Sequence, residues 1–447
     1  MTVESAAPVH PAPDPAPEPG RATERPLRIA LLSYKGNPYC GGQGVYVRHL
    51  SRELTRLGHH VEVIAAQPYP VVDEGVTLTE LPSLDLYRQP DPFRVPRLPE
   101  YRDAVDVLEV ATMLTGGFPE PLTFSLRARA LLSARRADFD VVHDNQTLGY
   151  GLLGLHRFGL PLVTTVHHPI TVDRDLELAA APNRRRRLSL RRWYAFTRMQ
   201  GRVARRLPDI ITVSESSRRE ITEHLGTAPE RVRVIPIGAD ARLFRPDPAV
   251  PEVPGRIVTT SSADVPLKGL IHLVEALAKI RVEHPGAHLV VVGKPRPQGT
   301  VARAIEDLGL TEAVEFRHGI SDADLADLVR GAQVACVPSL YEGFSLPAAE
   351  AMATGTPLVA TTGGAVPEVA GPDGQTCLAV PPADSGALAQ AIGRLLADAP
   401  LRRRIGEAGR RRVLERFTWE SAARATAEHY RRAIAAQRPD SAARSPA

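Results

Sequence analysis

The chain has 447 residues, 43% of them hydrophobic, which is enough for two α/β domains with a core each. Its 55 Lys and Arg against 51 Asp and Glu leave a net charge of +4, too small over this length to indicate a nucleic-acid binder. There is no window of roughly 18 uninterrupted apolar residues, no basic-then-apolar signal pattern, and no zinc or disulfide spacing among Cys40, Cys336 and Cys377, so a cytoplasmic protein with reduced thiols is expected.

Residues 1–26 are Pro, Ala and Glu with almost no large apolar side chain, and a disordered tail is expected there. Arg28–Tyr34 is the first predicted strand. The loop Pro38-Tyr-Cys-Gly41-Gly42-Gln-Gly44 follows it. Tyr46, Leu50, Leu54 and Leu57 then mark a helix over Val45–Leu57; Gly58 caps its end and His60–Ala65 is the next strand. Further strands are predicted at Val141–His143, Leu162–Val166, Ile210–Val213 and Val232–Ile235, within an N-terminal domain over 27–245.

The proline-dense segment 246–254 has nothing to bury and reads as a linker. A second strand series, Arg256–Thr260, His288–Val292, Val314–Phe316, Val334–Val337 and Leu358–Ala360, belongs to a C-terminal domain over 255–415. A helix over 416–436 and a short tail, 437–447, end the chain. Strands alternating with helices predict parallel sheets covered on both faces.

Chemistry concentrates in the loops after these strands. Glycines at Gly41, Gly42 and Gly44 open a helix, where free amides and the helix dipole favour an anion. Thr164-Thr-Val-His167-His168 ends a strand, and either histidine is placed to hydrogen-bond a sugar hydroxyl or a developing charge. Lys268, one of four lysines in the chain, stands beside Gly269 at a strand-to-helix junction, as a counter-ion for phosphate would.

The densest signal is Tyr341-Glu342-Gly343-Phe344-Ser345-Leu346-Pro347-Ala-Ala-Glu350. Pro347 suits a first helical turn, so the amides of Gly343 to Leu346 face the cleft between two carboxylates. A capping box does not account for Glu350, because the residue three before it is Pro347. No metal-binding Asp-x-Asp is read in the sequence, and neither a metal nor a cofactor is expected. The basic stretch Asn183–Arg206, with Leu188, Leu190, Trp193, Tyr194 and Phe196 interleaved, reads either as a solvated helix face or as a helix resting on an anionic membrane at its inner face.

Taken in order, these elements resemble the GT-B glycosyltransferases of family 4 over about residues 28–434. The markers are Gly41-Gly42, Thr165-Val-His167, Val234-Ile-Pro-Ile-Gly238-Ala-Asp240, Lys268-Gly269, Glu342 with Glu350, Gly363-Gly364 and Pro367-Glu368. The resemblance implies two Rossmann-like domains facing a cleft, a last helix that crosses back to the first domain, a retaining mechanism and no metal. It also implies that Lys268 binds the donor diphosphate, that Glu350 binds the ribose, and that Glu342, Gly363 and Gly364 lie by the donor sugar. His167 would stand near the transferred sugar and Gly42 near the diphosphate. Ser262 occupies the position where the family usually has arginine, with Arg296 as the candidate substitute, and Ile237 replaces the usual Asn before Gly238.

The expected activity is transfer of a hexose from a GDP- or UDP-sugar to a lipid, polyol or saccharide acceptor. A nucleotide-sugar epimerase of the same architecture and a non-catalytic nucleotide-sugar-binding protein are the alternatives.

Overall fold

The computed structural model describes residues 25–36, 42–88, 90–179, 181–261 and 265–437. The expected tails lie almost wholly outside these residues, as do Cys40, Gly41 and Ser262.

Among the described residues, seven strands build the first sheet: β1 (Arg28–Ser33), β2 (His60–Ala65), β3 (Thr77–Glu80), β4 (Val141–Asn145), β5 (Leu162–Thr165), β6 (Asp209–Thr212) and β7 (Val232–Val234). Six build the second: β8 (Val253–Thr260), β9 (His288–Val292), β10 (Val314–Arg317), β11 (Ala332–Val337), β12 (Leu358–Thr361) and β13 (Leu378–Val380). Every pairing is parallel. The orders are β3-β2-β1-β4-β5-β6-β7 and β10-β9-β8-β11-β12-β13. Both reverse direction beside their first strand, which is the doubly wound plan with a switch point at β1/β4 and at β8/β11.

Each sheet is buried on both faces, which is why its strands read as continuous apolar runs. Ile29 and Leu31 meet Tyr46, Leu50 and Leu54 on one side of the first sheet; Ala30 and Leu32 meet Phe124, Leu132 and Val203 on the other. Fully burying one such aliphatic side chain contributes roughly 1.5–3 kcal/mol.

The Trp419–Gln437 helix belongs to the first of these faces although it follows the second domain in sequence. Trp419, Ala423 and Tyr430 are buried there, and Tyr430 Oη hydrogen-bonds His143 Nδ1 on β4. The two chain crossings touch at Gly238, where a Cβ would fall 1.9 Å from the Phe417 carbonyl oxygen. Ala239 N donates to the same carbonyl at 3.0 Å. The Gly238–Asp240 segment is therefore a crossing point, with Asp240 accepting from Arg52 at 2.7 Å.

Two expectations need correction. The linker ends before Val253, not after Pro254, because Val253 N donates to Gly331 O and Gly255 N donates to Gln333 Oε1, which draws both residues into β8. The apolar residues of the basic stretch do not form an outward face. Leu190 and Tyr194 are buried, Trp193 and Phe196 pack on Phe118, and of these five only Leu188 is exposed. The arginines of the Arg184–Trp193 helix are exposed.

Candidate active site

The cleft is lined by loops that leave the C-terminal ends of β1, β4 and β5 on one side and of β8, β11 and β12 on the other. They include the four strands that flank the two switch points.

On the first side the helix Gly42–Arg56 begins directly after the glycine-rich loop. Its Gln43 carbonyl accepts from Asn145 Nδ2 at 3.3 Å, which turns Asn145 Oδ1 toward His167 Nε2, 2.8 Å away. The network thus assigns the ring proton to Nε2 and leaves Nδ1 as an acceptor. Gln146, held at φ 57°, accepts from His167 N at 2.7 Å and donates to His168 O at 2.9 Å. Asp144 secures this turn by accepting from the amides of Thr147 and Leu148.

Tyr46 presses edge-on against His167, with ring centroids 4.8 Å apart, and its hydroxyl meets Thr165 Oγ1 at 2.9 Å. Burial pushes His167 down to about 3, with nearby His168 adding to the effect, so the imidazole is neutral at physiological pH. His168 instead pairs with Asp173 at 2.9 Å, which separates the two histidines by role.

On the second side Lys268 Nζ lies 2.8 and 3.0 Å from the two carboxylate oxygens of Glu342, and Ser339 Oγ donates to the same carboxylate at 2.7 Å. Leu340 N donates to Leu267 O, joining the two loops. Gly269 has φ 63°, and a Cβ there would fall 2.0 Å from the Pro338 carbonyl oxygen, so this close approach admits only glycine. Gly363 and Gly364 lie directly against the Glu342 loop; Ala365 N donates to Glu342 O at 2.8 Å.

Ser345 is the N-cap of the Leu346–Ala353 helix. Its Oγ is buried and has no hydrogen-bond partner among the described residues. A hydroxyl and helix amides so placed are suited to an anion. Glu350, on the same helix, is half-buried, and burial, with Asp322 adding like-charge repulsion, pushes its carboxyl up to about 8.

The two sides touch. Gly343 O accepts from Ser214 Oγ at 2.6 Å and from Ser217 Oγ at 3.1 Å. Glu368 accepts from the amides of Glu215 and Ser216, both at 2.8 Å, so a carboxylate of the second domain caps a helix of the first. Arg48 reaches Asp322 at 3.2 Å.

His167, Lys268, Glu342, Gly343, Ser345, Glu350, Gly363 and Gly364 are thus brought to one cleft, with Gly42 at its edge. Phe344 and Leu346 do not present their side chains there. Phe344 packs against Phe417 and Leu346 against the first domain's core. Arg296 is exposed in the loop after β9. Sequence reasoning missed Asn145, Tyr46, Ser339 and the bridging action of Glu368; only Asn145 carried a usable signal, its place at the end of a strand beside the switch point.

This architecture and cleft define a GT-B glycosyltransferase. The family model "Glycosyltransferase Family 4" matches residues 40–243 and "Glycosyl transferases group 1" matches residues 247–412. The chain belongs to the GT-B glycosyltransferases of family 4, and it is an enzyme of that class.

It is 54% identical over 410 residues to the MMP alpha-(1->4)-mannosyltransferase of Mycolicibacterium hassiacum, covering 92% of this chain and 99% of the relative. Among solved structures it is similar to sucrose-phosphate synthase of Thermosynechococcus elongatus, with TM-score 0.66 and 25% identity over 92% and 100% of the two chains. It also resembles in fold Anabaena HepE in complex with UDP-glucose, with TM-score 0.65 and 18% identity over 91% and 100%. The relatives do not favour an epimerase. No helix among the described residues is long and apolar enough to cross a membrane.

Proposed function

We propose that this enzyme transfers a mannosyl group, with retention of anomeric configuration, from GDP- or UDP-mannose to a hydroxyl of a saccharide acceptor. The observation that carries the choice of sugar is the 54% identity, over nearly the whole of both chains, to a mannosyltransferase.

The cleft supports a mechanism that needs only positioning and electrostatics. Lys268, the Ser345 hydroxyl and the amides opening the Leu346–Ala353 helix receive the diphosphate, while Glu350 accepts hydrogen bonds from the ribose. As the diphosphate leaves, its growing negative charge is met by that cation and those amides. Its oxygen takes the acceptor's proton on the face from which the sugar departs. Neutral His167 offers Nδ1 to a hydroxyl of the transferred sugar and carries no charge that would oppose an oxocarbenium-like centre. The exposed arginines of 184–192 supply an electrostatic contact with an anionic membrane surface.

A panel of GDP-mannose, UDP-mannose and UDP-glucose against manno-oligosaccharide acceptors tests this, with the new linkage read by NMR. An α-mannosidic product from a mannose donor is expected. Transfer of glucose alone, or a β-linked product, overturns the proposal.

A further inference from the structure

Aromatic residues make up only 5% of the chain, yet five of them meet at one place: Tyr87, Phe93, Phe118, Trp193 and Phe196. Trp193 lies 5.0 Å from Phe118 and 5.5 Å from Tyr87, centroid to centroid, and Tyr87 lies 5.3 Å from Phe93. Phe118 and Phe196 lean on the first domain's aliphatic core, while Tyr87 and Trp193 are half-buried and Phe93 is 58% exposed. Phe93 also has φ 64°, a left-handed conformation that costs a bulky residue roughly 1–2 kcal/mol. The fold therefore holds a large ring in solvent against its local preference, and core packing does not explain that.

One side of this aromatic shelf is polar. Lys35, just past β1, places Nζ 5.4 Å from the centre of the Phe118 ring and 3.5 Å from Glu120 Oε2. Glu120 opens the Glu120–Ala134 helix and is itself mostly buried. Lys35 belongs to the same rim of the sheet that carries Asn145 at the end of β4 and His167 after β5. With β1, β4 and β5 adjacent, the strands that carry Lys35 and His167 are two strand spacings, roughly 10 Å, apart.

We infer that this shelf binds the acceptor as an oligosaccharide, holding sugar rings beyond the one that receives the mannosyl group. Resting on the transferase function and saccharide acceptor proposed above, this adds where the acceptor's further rings are held. A pyranose has an apolar C–H face and a hydroxyl rim; Phe93 and Trp193 offer ring surface to the first, and Lys35 and Glu120 offer hydrogen bonds to the second. A lipid chain would use the rings alone and make no use of the charged Lys35–Glu120 edge.

The chain's two tryptophans make the test direct, because Trp419 is 2% exposed and Trp193 lies on the shelf. Full-length protein without donor is titrated with an α-1,4-linked mannotetraose while tryptophan emission is followed. A saturable change is expected, with affinity at least five-fold weaker in Phe93→Ala, whose exposed ring leaves the core intact. The same variant should raise KM for the tetraose but not for methyl α-mannoside, and should bind GDP or UDP as the parent does.

No emission change in the parent, or equal affinity in Phe93→Ala, overturns the assignment. So does a response to anionic phospholipid vesicles but not to the saccharide, which would make the shelf a membrane contact. If the tetraose binds but receives no mannose, the shelf stands and the proposed transfer falls. If transfer proceeds and Phe93→Ala affects both acceptors equally, the shelf alone falls.

Discussion

Replacing Glu350 with glutamine isolates what it costs to keep a carboxyl in the donor cleft. Burial and the neighbouring charge of Asp322 raise this group from 4.5 to about 8. In the folded protein it holds its proton at pH 6, whereas in the unfolded chain it has already released it. A folded-state pKa above the unfolded value means that stability is fully present below about 4.5 and falls as pH rises toward 8. At about 1.4 kcal/mol per unit the loss reaches at most about 5 kcal/mol, and water at the partly exposed side chain lowers it.

Glu350→Gln keeps the shape of the neutral acid and cannot ionise. Thermal unfolding of parent and variant, followed from pH 5 to pH 9, should show near-equal midpoints at the acid end and a variant more stable by several degrees at the alkaline end. A gap that does not change with pH would refute the raised ionisation of Glu350. A gap of opposite sign would mean that a partner holds the group ionised. Calorimetry of nucleotide binding at pH 7, in buffers of different ionisation enthalpy, reads the same group functionally: the parent should release a proton as the ribose hydroxyls bind, and the variant should not.

Lys268→Ala leaves Glu342 with Ser339 as its remaining side-chain partner. Because Lys268 is about one-third exposed, the expected loss is about 1–3 kcal/mol, below that of a fully buried pair. Nucleoside diphosphate affinity should fall ten-fold or more while the monophosphate's changes less, as calorimetry would measure. Gly364→Ala puts a methyl group 2.4 Å from the Glu342 carbonyl oxygen at φ 59°; a loss of at least about 2 kcal/mol and a lower kcat are expected, checked by melting and steady-state rates. His143 and His167 are pushed down to about 3 and His49 to about 4 by burial. Their contribution to stability is present above about 6.5 and lost as pH falls toward those values, so unfolding at pH 5 should take up protons at these sites; His143→Gln, read by the pH dependence of the melting midpoint, should lessen the acid sensitivity.

The sequence alone specified the two parallel sheets, because strands buried on both faces must be apolar at successive residues, as Ile29 to Leu32 and Leu289 to Val291 are. It also marked Lys268, Glu342 and Glu350, since a cation or carboxylate at a strand-to-helix junction has little other local use. β3 and β13 escaped it: both are short edge strands, and the mixed-polarity Thr77–Glu80 carries no continuous apolar run. Tertiary structure alone decided that Asn145 fixes the His167 ring, that Glu368 caps a helix 153 positions earlier in the chain, and that five scattered aromatic residues form one shelf. Local spacing encodes which face of a strand or helix is buried, whereas contacts between loops of different βα units depend on how whole sheets and domains close on each other.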